Sequence, residues 1–166
     1  MLDFFFIWKV LILWIHVITA SIWLGGLILT TIINRQLRKK IGSDEAYKIV
    51  RSIGIAFQRQ MRDSLYLAIV TGILNVLNDT YYNFNFIFSM NFLYSSFGQM
   101  VLIKSIVAIL VLAFAIYHTN IARSIPNFKD EGIVKRLRRK ISIIGWLAMI
   151  LTFILFLIGS FLVFIV

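Results

Sequence analysis

The sequence has no cysteine, one proline and few acids. Without cysteine there are no disulfides, thiolate metal sites, cysteine-attached haem or cysteine nucleophiles. Any soft-metal ligand must therefore be methionine or histidine. A glycine-rich phosphate loop, an HExxH pair, a serine elbow and a close intramembrane carboxylate pair are missing as well. Classical hydrolase and nucleotide chemistry is thus unsupported, and the sequence points away from an enzyme.

What is abundant is apolar residues, 60% of the 166, arranged in blocks of helix-spanning length rather than in amphipathic alternation. A net charge of +10 comes from 17 basic and seven acidic residues. Eight of the bases lie between Arg35 and Arg62 and seven between Arg123 and Lys140. Two basic clusters between apolar blocks follow the positive-inside rule and place both clusters on the cytoplasmic side. Attraction to anionic head groups accounts for that charge better than nucleic-acid binding does.

The expected fold is all-α: one domain over residues 1–166, a four-helix bundle crossing the cytoplasmic membrane with both termini outside. Val10–Ile33 gives 24 residues without a formal charge, so the first span is drawn over about 4–33. An acid and no base precede Lys9, and no small-residue cleavage signal ends the run, so it is expected to be retained rather than removed as a leader. Ser43-Asp44-Glu45 makes a good helix start. Ala46, Ile49, Val50, Ile53, Phe57 and Met61 then recur at three- and four-residue spacing, which predicts an amphipathic helix over 44–61 on the inner membrane surface. A weaker second span follows over 62–79, continuing that helix. The aromatic- and asparagine-rich stretch 81–97 is expected at the outer interface. Spans three and four are placed over 98–122 and 141–166, with a basic loop containing Pro126 between them. Gly145, Thr152 and Gly159 form a small-residue seam at heptad spacing on the last span.

Function is sought in the polar stripe of the first span. At about 100° per residue, Lys9, His16, Thr19, Trp23, Gly26, Thr30 and Asn34 share one side of a helix. Lipid cannot satisfy such a stripe, so it must face other helices or a wet cavity. On the third span Lys104, Val111 and His118 lie seven apart, with Met100 on the same side. Helical rise puts His16 about 6 Å and Lys104 about 8 Å outside the bilayer middle, and His118 about 13 Å inside it. This predicts an outer layer of His16, Lys104 and Met100, with Asn75 and Asp79 nearby, and an inner one around His118. One metal ion or haem cannot bridge the two histidines at that separation. Neutral imidazole suits copper or haem iron and thioether suits Cu(I). Lys104 would repel a cation unless Asp79 neutralised it, or would attract an anionic group such as a haem propionate. The alternative is that His16 and His118 only hydrogen-bond neighbouring helices. Lys9 is expected to reach the outer interface.

The segment HVITASIWLGG, His16–Gly26, resembles the first-helix signature of the copper resistance protein D (CopD) family. IVTGILN, Ile69–Asn75, is similar to that family's second-helix threonine-glycine segment, and FGQMVLIKS, Phe97–Ser105, to its next-helix entry and lysine. The matching positions are His16, Trp23, Gly25, Gly26, Thr71, Gly72, Gly98 and Lys104. The resemblance implies a membrane protein that handles copper, in transport, delivery or resistance, beside extracytoplasmic copper-binding partners. Family proteins usually have more helices, so similarity to their core implies assembly with other membrane subunits or a second copy. The four-helix core also resembles HemJ-type protoporphyrinogen oxidases, which implies, as the alternative, haem b on a first-helix histidine with Lys104 near a propionate. The copper reading takes His16 and Met100 as ligands, supported by Trp23, Asn75, Asp79 and His118.

Overall fold

A computed structural model describes residues 3–125 and 130–162, with backbone alone at 43, 44 and 55. Pro126 and the expected end of the last span, 163–166, lie outside them. Every element among the described residues is helical: α1 Phe4–Ile41, α2 Ser43–Asp79, α3 Phe84–Ile87, α4 Met90–Tyr94, α5 Ser96–Ser124 and α6 Glu131–Leu162. Three of them, α1, α5 and α6, are long and apolar enough to cross a membrane, as the helices of a multi-pass membrane protein are. The chain divides into two compact units, one ending at Asn83 and the other beginning at Phe84.

The first unit is a long antiparallel hairpin. Asp3 caps α1 by accepting from the Phe5 amide, and Arg38, Lys39 and Lys40 occupy its last turn, where cations complement the helix dipole. The chain reverses at Gly42, whose φ of 85° is open to glycine at little cost. The amphipathic segment and second span expected over 44–61 and 62–79 form one unbroken 37-residue helix, α2. Contacts descend the hairpin in antiparallel order: Lys9 meets Asp79, His16 meets Ala68 and Thr71, and Gly26 faces Met61.

The hairpin turns its polar stripe inward and its apolar side chains out. Thr19, Trp23 and Thr71 are buried, whereas Trp14, Ile18, Ile22, Leu29 and Ile32 are at least half exposed. A soluble helix pair would do the reverse. The buried hydroxyls are satisfied within their own helices, Thr19 on the Ile15 carbonyl at 2.8 Å and Thr71 on the Leu67 carbonyl at 2.7 Å, as a surrounding without water requires.

In the second unit Ser89 caps the short α4 and Ser95 caps α5, accepting from the Phe92 and Gly98 amides. A methyl group on Gly98 would run into the Phe92 carbonyl, so only glycine lets α4 fold down onto the start of α5. Helices α5 and α6 then pack antiparallel with their heptad faces together. Lys104 lies over Gly159 and His118 over Gly145, and midway between these pairs Val111 and Thr152 are both buried. The small-residue seam thus packs against the lysine–valine–histidine face.

Candidate functional site

His16 stands on the buried stripe of α1, facing α2. Its Nδ1 lies 2.8 Å from the Ala68 carbonyl oxygen and 3.2 Å from Thr71 Oγ1. A carbonyl only accepts, so Nδ1 carries the proton and donates. The Thr71 hydroxyl gives its own hydrogen to the Leu67 carbonyl and therefore also accepts from the ring. In the neutral ring Nε2 then carries the lone pair. A second partner fixing the tautomer in this way is the usual arrangement of a metal-binding imidazole. Gly72 makes room for the ring: a methyl there would stand 3.1 Å from His16 Cε1. His16, Thr71 and Gly72 therefore form one contact. Trp23 is buried on the same stripe two turns along.

Nearer the open end of this hairpin lies a second polar group. Lys9 Nζ is 2.7 Å from Asp79 Oδ1, so the lysine expected at the outer interface is paired with the carboxylate expected near the His16 layer. Asp79 sits about 10 Å farther along α2 than Gly72 at helical rise. Its charge is neutralised there, by Lys9. Asn75, half-buried, lies between them.

Beside this pair Trp8 Nε1 donates to Tyr82 Oη at 3.2 Å, and Tyr82 donates to Asn78 Oδ1 at 2.7 Å. Tyr81 and Tyr82 hold left-handed φ values of 50° and 57°, a region that costs non-glycine residues about 1–2 kcal/mol each. The conformation closes α2 through the Tyr82 amide on the Leu77 carbonyl, the long-range bond of a Schellman turn. Phe5 stacks on Tyr81 at 5.7 Å. Trp8, Asn78 and Tyr82 escaped the sequence reading. The one sequence signal was fully buried Asn78, a polar residue next to an acid at the end of an apolar run.

The other expected site residues belong to the second unit. Met100 and Lys104, both half-buried, lie one turn apart on α5. His118 is about 21 Å farther along the same helix. Among the described residues no three histidine, aspartate or glutamate side chains gather as a metal-binding group. Comparison of the chain with family models, curated proteins and solved structures gives no match.

Proposed function

We propose that the chain is a copper-handling protein of the cytoplasmic membrane, passing Cu(I) across it or delivering it there through transient ligation at His16 Nε2. One observation carries this reading: the hydrogen bond from Nδ1 to the Ala68 carbonyl, which sets the ring proton on Nδ1 and the donor lone pair on Nε2. Neutral imidazole and thioether are ligands Cu(I) accepts. Thr71 and Gly72 position the ring; Trp23 supports the same face. The C-terminal half of α2 serves as the fourth span, because α1 shields its inner face and Asp79 is neutralised by Lys9. The basic residues around Gly42 and between Arg123 and Lys140 put those turns in the cytoplasm and both termini outside. A partner subunit or a second copy completes the transport route.

A second reading rests on the same imidazole. The first hairpin supplies one histidine, His16, that would hold a haem iron. Bound haem b would contribute one-electron chemistry there.

The test uses the full chain purified in a neutral detergent. After anaerobic Cu(I) loading and desalting, the wild type is expected to retain copper and His16→Ala to lose at least nine-tenths of it. A Soret band in the protein as isolated, lost in His16→Ala, would transfer the assignment to haem. Equal copper retention by both proteins, with no visible absorption, would leave His16 a helix-pairing residue and overturn both readings.

A further inference from the structure

On the face that α5 turns to α6 stands the second histidine of the chain. His118 Nε2 and Cδ2 lie 3.8 and 3.9 Å from where a methyl on Gly145 would stand. The ring edge bearing Nε2 is therefore turned toward α6 at a position without a side chain. Among the described residues His118 makes no hydrogen bond or ion pair, so neither ring nitrogen is committed to a protein partner. Met149 lies one turn beyond Gly145 on α6 and is buried, in a stripe with Ile144, Ala148 and Thr152. The helix packed against α6 is α5. Residues four apart on a helix lie on one face, one above the other, so Met149 shares the face of Gly145.

Helix geometry brings the two donors toward one point. A helical side chain leans toward the N-terminus of its own helix and covers the turn before its Cα. The helices are antiparallel, so His118 leans along α5 toward the level of Met149, and Met149 leans along α6 back toward Gly145. Their backbones differ in height by about 6 Å at helical rise, and the two leans close that gap from both ends. Gly145 leaves the space open, since a side chain longer than a methyl would stand between imidazole and thioether. We infer that His118 Nε2 and the Met149 sulfur form a second Cu(I) site, across α5 and α6, of the donor types that ion accepts. Both donors are neutral, so the ion keeps its charge in an apolar seam, which makes binding weak and exchange ready. His118 and Gly145 each lie five residues from the basic segment Arg123–Lys140, about 8 Å at helical rise. The site therefore belongs to the cytoplasmic half of the span, where transported copper would leave. The inference rests on the copper reading proposed above for the identity of the ion.

The full chain in neutral detergent, labelled with ¹³C at the methionine methyls and ¹⁵N in the histidine rings, is titrated anaerobically with Cu(I) and followed by NMR. Met149→Leu, a volume-conserving change, assigns the Met149 methyl. That methyl and His118 Nε2 are expected to shift together, in the wild type and in His16→Ala alike. The methyl is expected to stay in place in His118→Gln, and His118 Nε2 to stay in place in Met149→Leu. The second comparison serves if His118→Gln does not accumulate. Ready exchange empties this site on desalting, so copper retention reports on His16 and the titration on the inner pair. A Met149 methyl indifferent to Cu(I), or one that shifts as far without His118, would overturn the site and leave the His16 reading standing. A His16 ring indifferent to Cu(I), with the Met149 and His118 shifts intact, would overturn the earlier reading and support this one.

Discussion

His16 Nδ1 and the Ala68 carbonyl oxygen, 2.8 Å apart, join α1 to α2 within the apolar part of the first hairpin. The bond does two things at once. It holds the helices together, and it selects which ring nitrogen carries the lone pair. Thr71 supplies a second acceptor 3.2 Å away. Interhelical hydrogen bonds in membranes average about 0.6 kcal/mol. Thr71→Val is therefore expected to cost less than about 1 kcal/mol in thermal unfolding and to leave copper retention within about two-fold.

Gly72 and Gly26 separate positioning from packing. A methyl on Gly72 meets the imidazole at 3.1 Å, whereas one on Gly26 meets the flexible end of Met61 at 2.8 Å. Gly72→Ala should displace the ring and lower copper retention several-fold with melting temperature little changed. Gly26→Ala should leave retention intact, since a methionine tip swings aside easily. Desalting of Cu(I)-loaded variants gives the comparison.

The clasp at the other end of the hairpin acts on stability. Tyr82→Phe removes the bonds to Trp8 and Asn78 while leaving residue 82 in its left-handed conformation. An expected loss of about 1–3 kcal/mol follows, because fully buried Asn78 Oδ1 loses its donor. Asp79→Asn should cost about 1 kcal/mol, since the pair with Lys9 is partly exposed. Copper retention should survive both changes. Thermal melts in detergent read these differences.

Gly98 should be the least replaceable glycine of the second unit. Gly98→Ala drives a methyl into backbone rather than side chain, so the start of α5 must shift. Gly145→Ala leaves 3.8 Å to His118, an ordinary contact. The first variant is expected to lower folded yield markedly and the second to fold like the wild type, as read by size exclusion and circular dichroism.

Much of this architecture was legible in side-chain spacing. The stripe from Lys9 through Gly26 does face another helix, and the heptad seams of α5 and α6 meet, because lipid leaves polar and small residues no other place to go. Helix limits were harder to read. Hydropathy marks where lipid ends, not where a helix ends. Thus α1 runs through Arg35–Lys40 to Ile41, and α6 starts at Glu131 rather than Ile141, since Lys, Arg and Leu are all good helix formers. The pairing of Lys9 with Asp79 was hidden for a different reason. It depends on the register between two helices, which is fixed by Gly42 and by the fit of His16 against Gly72, and no pattern within one helix carries that information.

The most direct test of the account is ¹⁵N NMR of His16 in the detergent-solubilised full chain, with His118→Gln used to assign the ring. The account predicts a neutral imidazole protonated at Nδ1, with the Nε2 resonance shifting on addition of Cu(I) and Nδ1 retaining its proton. A ring protonated at Nε2, or an Nε2 resonance indifferent to Cu(I), would contradict it.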